Sequence, residues 1–592
     1  MRAAAPVAPG GRGRPRVRFR VRRPPLHVVL LAAIMTAGAL ARVWGLGWGL
    51  PHTLAHPDET KFVSIGLGMG YGDLNPHWFG YPSLFFYLSA AAFAVLYGAG
   101  WLAGTFPTLF AFKLQFFLDP SPFHLAIRAV SALAGTVTVL LTYRLGRELG
   151  GRTAGLVAAL LVAVNPLHVR TSHFGNTDVT MTMFLTAALL FALRARRRGR
   201  TRDLVLAGAC LGLATSTKYP AAFFAAVLPA AALAPGPDAA AVSRAARLRA
   251  LGLGLVAMAA AFAVTSPYVL LDWRVTLADF RYLSAIRVEG WPGDSGGPAW
   301  LHFLAFSMWY GFGAPFYPAL LLAVAALAWR RDRAALVLGT GCLVYFVVMG
   351  SGRLAFSRYL VPLVPPLAAL VGALAAAPPV VRLARGVAGR AALAVALAVL
   401  LWLPAWRAVG QAVLFARDDT RVLVREWIMR NVPSEATVVW LGSGFEFSRP
   451  QLPLSRAMWE RLIAAGDRPS LLGDRDRRTQ WRTAREMLAS PGFPPRPNYA
   501  LLEARRLAEV PAGAGAPVYV VTPEHPLEQF AHVEAEDRRA LAERATSLWE
   551  VSPLTPRATR AVFEAHDAIF LPLAGFDGVT RPGPGLRIYR LP

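Results

Sequence analysis

The feature that most constrains the fold of this chain is a series of apolar stretches of helix length, separated by short arginine clusters. The first stretch, residues 26–46, is long enough to cross a bilayer, which takes about 20 apolar residues. Eleven further stretches follow before residue 410. With a hydrophobic fraction of 55%, this pattern predicts a polytopic α-helical membrane protein.

Arginine accounts for most of the positive charge of the chain. The sequence has 62 basic and 35 acidic residues, a net charge of +27, and its lysines are Lys61, Lys113 and Lys218. Such a charge can indicate nucleic-acid binding, but here the arginines lie between apolar segments, as the positive-inside rule predicts for cytoplasmic connections. We therefore expect contacts with membrane lipids and no nucleic-acid partner. Cys210 and Cys342 lie inside apolar stretches and predict no disulfide framework.

The arginine clusters also predict which connections face the cytoplasm. An even number of crossings is needed between the basic N-terminus and Arg144, yet three apolar stretches lie there. We expect residues 81–103 not to cross, because polar and aromatic residues near the start of the stretch are typical of an interfacial or re-entrant helix. The short stretches 204–217 and 219–233 should go out and return, with Lys218 at the outer tip. About eleven crossings result, with the N-terminus inside and the C-terminus outside.

Composition divides the chain into three predicted regions. Residues 1–25 are expected to be a disordered, basic cytoplasmic tail. Residues 26–410 should form the membrane domain, with a large first outer loop at 47–121. Residues 411–592 should form a soluble α/β domain on the outer face. The first 45 residues also resemble a cleaved secretory signal, but the length of the apolar stretch favours an uncleaved membrane anchor.

Local signals give a coarse secondary structure for the C-terminal region. Asp418-Asp419-Thr420-Arg421 has the composition of a helix N-terminus, and the helix should continue through Trp427 to about Asn431. Strands are predicted at 437–441, 518–522 and 586–589.

Directly after the first apolar stretch comes a pair of acids, in the sequence His56-Pro57-Asp58-Glu59. The predicted topology places both carboxylates at the outer membrane surface, where acids at the membrane edge are candidates for function. The plainer interpretation is a solvated loop with a helix-capping aspartate.

The same topology gathers further charged residues on the outer side. They are His173 and Asp178 on the second outer loop, Lys218, and Arg358-Tyr359 before the tenth crossing. Acids that face several cations at a lipid boundary suggest a phosphorylated lipid and a nucleophile that must lose a proton. Glycosyl transfer from a polyprenyl-phosphate sugar needs such a set, because a carboxylate acts as general base and cations hold the phosphate.

The motifs that carry a family resemblance run along residues 26–450. They are His56-Pro57-Asp58-Glu59-Thr60, Pro82-Ser83-Leu84-Phe85-Phe86-Tyr87-Leu88, Asn176-Thr177-Asp178, Lys218-Tyr219, Phe356-Ser357-Arg358-Tyr359-Leu360-Val361-Pro362, and Asp419-Thr420-Arg421 through Trp427. In these motifs the chain resembles the membrane glycosyltransferases of the GT-C superfamily, near the protein O-mannosyltransferases and the aminoarabinose transferases of lipid A. The resemblance implies a GT-C-like helical fold with an outer C-terminal domain.

The resemblance also implies roles for single residues. Asp58 is expected to be the base or the carboxylate that orients the acceptor, with Glu59 as its partner and Asp178 as a third catalytic acid. Lys218, Arg358 and Tyr359 are expected to bind the donor phosphate, and His56 and His173 to contact the acceptor or a metal. Relatives often carry a lysine where this chain has Gly80-Tyr81, so Lys218 or Arg358 should take over its work.

Each of these residues also has a plainer interpretation. Asp178 could be only a helix cap, Lys218 could extend to the interface, and Arg358 could anchor its helix there. The expected reaction is inverting transfer of a sugar, at the outer face of the cytoplasmic membrane, from a polyprenyl-phosphate donor to a hydroxyl of a lipid, polysaccharide or protein. The alternatives are a transporter or flippase of lipid-linked sugars, although no internal repeat is seen, and a membrane scaffold. The sequence identifies no particular cofactor, and a divalent metal is an alternative that no ligand spacing compels.

Overall fold

The computed structural model describes residues 24–291, 296–465, 484–490, 493–511 and 515–592. Apart from its last two residues, the predicted tail 1–25 therefore lies outside the described residues. The helices of the membrane part are α1 Leu26–Val43, α2 Glu59–Met69, α3 Leu84–Leu102, α4 Leu109–Leu118, α5 Ser121–Ala163, α6 Pro166–Ser172, α7 Thr177–Arg198, α8 Thr201–Thr217, α9 Val227–Leu233, α10 Arg244–Thr265, α11 Pro267–Leu271, α12 Trp273–Glu289, α13 Trp300–His302, α14 Met308–Phe312, α15 Phe316–Trp329, α16 Arg333–Gly350, α17 Val364–Gly372, α18 Pro378–Leu383 and α19 Val387–Phe415.

The prediction of a polytopic helical membrane protein is confirmed. Among the described residues, eight helices are long and apolar enough to span a membrane, or nine if the bent pair Trp300–Phe312 and Phe316–Trp329 is one span. The eleven crossings predicted from the sequence differ from these nine candidate spans in three ways. They divide α5 in two, they include the shorter apolar segments Thr201–Thr217 and Tyr219–Leu233, and they leave out α3. Eleven crossings therefore remain a prediction.

Helix α5 reverses its direction inside its own range. Gly150 and Gly151 leave the helical conformation, and Gly151 has a φ of +80°. On the far side of this turn the two arms pack closely, because a Cβ on Gly155 would lie 2.5 Å from the carbonyl oxygen of Tyr143. A glycine is needed at such a positive φ and at such a close approach. The turn makes α5 a helical hairpin.

Helix α7 separates a basic end of the bundle from an end that carries the predicted site. Its 22 residues begin beside Asp178 and end with Arg196-Arg197-Arg198, a length of about 33 Å at 1.5 Å per residue. At the basic end, Glu148 forms ion pairs with Arg194, Arg197 and Arg198. That the basic end faces the cytoplasm and the site end the outside remains a prediction.

Helix α3 packs against those ends of α5 and α10 that lie near the predicted site. Its N-terminal neighbour Ser83 donates its backbone N–H to Ser266 Oγ at the C-terminal end of α10, and Phe93 contacts Phe123 near the start of α5. The middle of α3 therefore lies level with the first turn of α5, which fits a helix that runs along the interface. That α3 does not cross remains a prediction.

The C-terminal part is a mixed sheet with helices on both faces. Its strands are β1 Thr437–Leu441, β2 Ala500–Ala504, β3 Val518–Glu524, β4 Thr546–Val551 and β5 Gly585–Arg590, in the order β2-β1-β3-β5-β4. Its helices are α20 Thr420–Asn431, α21 Phe445–Ser448, α22 Arg456–Ala465 and α23 Ala535–Arg544, with a further helical segment at 484–489. Pairings β1–β2 and β1–β3 are parallel, and β3–β5 and β4–β5 are antiparallel.

Alternate residues of the central strands face opposite layers, as the two-residue period of a strand requires. Val438 and Trp440 pack with Ile428 of α20, whereas Val439 and Leu441 pack with Leu541 of α23. The predicted strands at 437–441, 518–522 and 586–589 and the predicted helix that begins after Asp419 are confirmed. Strands β2 and β4 were not predicted.

A long connection between β4 and β5 returns to the helical part of the molecule. Leu571 and Ile569 of this connection pack with Trp48 and Phe415, and Leu573 packs with Val179 at the start of α7. The C-terminal part thereby contributes residues to the end of the bundle where the predicted site lies.

Candidate functional site

The adjacent acids Asp58 and Glu59 have opposite surroundings. The side chain of Asp58 is 33% exposed, and its Oδ2 lies 3.8 Å from Nη2 of Arg358. The side chain of Glu59 is fully buried, 2.7 Å from Nη2 of Arg128. Only Asp58 of this pair is therefore open to a ligand.

Glu59 ties three segments of the chain together. Its carboxylate accepts three hydrogen bonds from the Arg128 guanidinium and one from the backbone N–H of Gly175. The same guanidinium donates to the carbonyl oxygens of Leu46 and Trp48. These bonds join α2, α5 and the loop before α7, which is the arrangement of a positioning residue.

Asp58 is held in its ionised form. Burial alone would raise the pKa of Asp58, but Arg358 and, less strongly, His56 lower the pKa below its ordinary value. The hydroxyl of Tyr81 lies 3.5 Å from Asp58 Oδ2. A phenol therefore stands beside the exposed carboxylate.

Lys218 and Asp178 form a buried ion pair. Nζ of Lys218 donates to Oδ1 of Asp178 over 2.7 Å, with side-chain exposures of 7% and 3%. Lys218 lies where α8 ends and the 3-10 helix Tyr219–Ala226 begins, and Asp178 lies in the first turn of α7. The lysine that was predicted at an outer tip is thus folded inward against the start of α7.

Aromatic rings join this ion pair to the Asp58 side of the site. Nζ of Lys218 lies 5.0 Å from the ring centroid of Tyr359 and 5.6 Å from that of Tyr81. Both distances are within the range of a cation–π contact. Asp58, Asp178, Lys218, Arg358 and Tyr359 therefore form one cluster, as the sequence predicted.

Arg358 also has a partner that the sequence did not predict. Its Nη1 donates to Oδ1 of Asp567, which lies in the connection between β4 and β5. Its guanidinium lies over the ring of Phe356, 4.0 Å from the centroid. Asp567 is therefore the residue that sequence reasoning missed, although the ionisable run Glu564-Ala565-His566-Asp567 within an apolar stretch was a visible signal.

Glu564 lies beside the ion pair of Arg358 and Asp567, and its surroundings favour the protonated carboxyl group. Its Oε1 accepts a hydrogen bond from the backbone N–H of Ser357. Burial and the neighbouring Asp567 raise the pKa of Glu564 to about 8. Arg170 is buried close by and donates to the carbonyl oxygen of Leu571.

The two histidines predicted as acceptor or metal contacts have different environments. Both ring nitrogens of His173 face backbone carbonyl oxygens, those of Val169 and Trp44, each at 2.9 Å. This geometry argues against a metal or an acceptor at His173. His56 packs on the ring of Phe174, and its Nδ1 has no hydrogen-bond partner among the described residues, so a ligand contact there stays a prediction.

Another set of residues could hold a metal. Within the described part of the chain, His302, Glu564 and His566 present ligand atoms that all lie within 4.8 Å of one another. Two imidazoles and a carboxylate suit a transition metal such as Zn²⁺. Phe356 contacts both the ring of His566 and the guanidinium of Arg358, so this set lies next to Arg358. It includes neither His56 nor His173.

Comparison with known proteins links part of the chain to sugar transfer. Residues 106–271 match the family of dolichyl-phosphate-mannose-protein mannosyltransferases. Two proteins of Bacillus subtilis (strain 168), named putative mannosyltransferases YycA and YkcB, are 37% and 33% identical to this chain over 99 residues, which is 17% of this chain and 14% of each relative. The resemblance that the motifs predicted is confirmed over this segment. These matches span only about one seventh of the length of the curated relatives.

Solved structures give more distant likenesses. ArnT from Cupriavidus metallidurans bound to undecaprenyl phosphate is 15% identical with a TM-score of 0.47, over 95% of this chain and 97% of that one. The oligosaccharyltransferase AglB from Archaeoglobus fulgidus, in complex with an inhibitory peptide and a dolichol-phosphate, is 14% identical with a TM-score of 0.46, over 89% and 73%. Likenesses at this level assign no activity.

Proposed function

We propose that this protein is a membrane glycosyltransferase that moves a sugar from a polyprenyl-phosphate donor to a hydroxyl group, with inversion, at the outer face of the membrane. The observation that carries the proposal is the pairing of one exposed carboxylate, Asp58, with a guanidinium, Arg358, 3.8 Å away. A base for the acceptor and a cation for the leaving group thus stand side by side. The match of residues 106–271 to a mannosyltransferase family supports the same reaction class.

In the proposed step, Asp58 takes the proton of the acceptor hydroxyl as general base. The acceptor oxygen forms a bond to the anomeric carbon of the sugar while the bond from that carbon to the phosphate oxygen breaks. The lipid phosphate leaves with the bonding electron pair. Attack from the face opposite the phosphate inverts the anomeric configuration.

Arg358 links phosphate binding to the strength of the base. In the free protein, Arg358 lowers the pKa of Asp58 and also pairs with Asp567. A donor phosphate that approaches Arg358 would share its positive charge, because charge-assisted contacts to phosphate are strong. The hold of Arg358 on Asp58 would then weaken, and the carboxylate would become a better base when donor is bound.

Lys218 is assigned to the same phosphate, with Asp178 as the group that holds it. The lysine is buried and already paired in the free protein, so its Nζ has a fixed position between the rings of Tyr81 and Tyr359. A preorganised cation of this kind stabilises developing charge on a leaving group at little cost in reorganisation.

The test is transfer of label by the purified full-length protein. Radiolabelled polyprenyl-phosphate mannose, arabinose and aminoarabinose would be offered separately with a membrane extract as acceptor source. The proposal predicts a labelled product that appears with wild type and not with Asp58→Asn, while the exposed-surface control Asp418→Asn behaves as wild type. A transporter would instead move the intact donor across proteoliposomes and form no new glycosidic bond.

A further inference from the structure

A large cavity lies between the membrane part and the C-terminal part, and Arg358 is not among the residues that line it. It has a volume of about 840 Å³, within the size range of small-molecule sites. One wall comes from the membrane part and includes Thr53, Thr60 and Phe117. The facing wall comes from the C-terminal part and includes Arg425 and Trp459. Asp58 belongs to the same short segment as Thr53 and Thr60, so one stretch of backbone borders both the cavity and the proposed catalytic cluster.

The charged groups around the cavity leave a surplus of positive charge. The lining contains Arg425, Arg449 and Arg496 against Asp119 and Glu503, together with His124. Arg449 pairs with Glu503.

Arg496 forms hydrogen bonds to both walls of the cavity, whereas Arg425 does not. Arg496 donates to the carbonyl oxygens of Leu118 on one side and Leu454 on the other. Arg425 is half-buried on α20 and makes no hydrogen bond with a described residue, although Asp119 acts on it electrostatically. Arg425 is therefore the cation that a ligand could engage.

A buried polar atom in the lining also lacks a partner. His124 is 1% exposed, and its Nδ1 contacts the carbonyl oxygen of Pro120. Its Nε2 has no hydrogen-bond partner among the described residues. Because an unsatisfied buried polar atom costs free energy, it points to a hydrogen-bonding group of a ligand.

The aromatic residues of the lining indicate what kind of ligand would fit. The rings of Phe117 and Trp459 lie edge to face with centroids 5.5 Å apart, and Phe116 and Trp440 also line the space. Apolar rings beside separated polar groups suit the mixed surface of a sugar ring, and the surplus of one positive charge favours an anionic ligand.

We propose that this cavity binds an anionic saccharide, a sugar that carries a phosphate or a carboxylate, and that this saccharide is part of the acceptor. The role as acceptor rests on the proposed glycosyltransferase function, whereas binding of the saccharide does not. The anionic group would lie against Arg425, and sugar hydroxyls would meet His124 and the threonines on the segment that carries Asp58.

Calorimetric titration of the purified full-length protein tests the binding. Glucose 6-phosphate and glucuronate serve as anionic probes, glucose as the neutral probe, and inorganic phosphate as the free anion. Both anionic sugars should bind more tightly than glucose and than inorganic phosphate. Arg425→Gln should weaken the anionic sugars about tenfold, as expected for loss of one charge-assisted contact, and leave glucose unchanged.

Arg430→Gln is the matched control, because Arg430 lies on the same helix with a side chain that is 74% exposed. Equal affinity for glucose and glucose 6-phosphate, or equal effects of the two arginine variants, would overturn the proposal. If inorganic phosphate binds as tightly as glucose 6-phosphate, the site recognises simple anions, and the proposal that it binds a saccharide is wrong. Binding without any glycosyl transfer would retain the cavity site and refute the proposed function.

Discussion

Lys218 and Asp178 form one buried unit, with Nζ 2.7 Å from Oδ1. Lys218, predicted to bind the donor phosphate, and Asp178, predicted to be a catalytic acid, thus neutralise each other's charge. A substitution of either residue alone changes folding as well as chemistry, because a single buried charge without its partner is costly.

Lys218→Met should therefore destabilise the protein by about 3–5 kcal/mol. The double variant Lys218→Met/Asp178→Asn, which leaves no unpaired charge, should recover most of the thermal stability. Its donor KM should still rise on the order of tenfold, since a charge-assisted contact contributes about 1.5–3 kcal/mol. Thermal unfolding and donor titration of both variants, with Lys113→Met as control, provide the check. An unchanged donor KM in the double variant would remove Lys218 from phosphate binding.

Asp58→Asn should lower turnover and spare donor affinity. Loss of a general base reduces rates by about 10²–10⁴-fold, and the amide keeps the size of the carboxylate. Transfer rate and donor affinity should be measured on the same preparation. Near wild-type transfer would disprove the base assignment and make Asp178 the next candidate.

Glu59→Gln should act on stability, in contrast to its neighbour. The glutamine leaves Arg128 fully buried without a counter-charge, which should cost about 3–5 kcal/mol. Protein that remains folded at low temperature should retain most of its turnover per folded molecule. A large loss of turnover at unchanged melting temperature would instead show that Glu59 takes part in the chemistry.

Glu564 should make the protein less stable as pH rises. Its pKa is raised from an ordinary 4.5 to about 8, so between these values the folded state holds a proton that the unfolded state has lost. Stability from this group is therefore greatest below pH 4.5 and declines toward pH 8. Glu564→Gln should flatten this dependence in thermal unfolding from pH 5 to 8.5 with EDTA present, and the exposed-site control Glu528→Gln should not. Parallel pH profiles for the wild type and Glu564→Gln would contradict the assignment.

Sidedness can be tested at exposed positions. In a background with Cys210 and Cys342 replaced, Leu74→Cys and Asp418→Cys should react with a membrane-impermeant reagent in intact cells. Arg200→Cys and Arg330→Cys should react only after permeabilisation, because they lie in the arginine clusters predicted to be cytoplasmic. The reverse pattern would invert the proposed topology and place the site inside.

The sequence predicted the centre of the site because membrane topology limits which residues can meet. Once alternate connections share a side, Asp58, Asp178, Lys218 and Arg358 must lie at one end of the bundle. The burial of Glu59 could not be predicted in this way, because it depends on Arg128 in another helix and on a backbone N–H of Gly175.

Asp567 was missed for a related reason. It lies 209 residues from Arg358 along the chain, and no periodicity relates residues so far apart. The missed strands β2 and β4 have a local cause. Both are edge strands with mostly exposed or half-buried residues, so they lack the apolar alternation that identified β1 and β3.

The connection that carries Asp567 also sets an order of events in synthesis. Asp58 leaves the ribosome early, and Arg358 follows with the later membrane helices. Asp567 is made after Arg358, and β5, the strand that lies between β3 and β4 and anchors the end of the connection, is made after Asp567. The membrane helices can therefore insert well before Arg358, which can already meet Asp58, acquires its second carboxylate partner, Asp567. If the C-terminal part lies outside, as proposed, the pairing of Arg358 with Asp567 must wait until that part has crossed the membrane and docked on the helices.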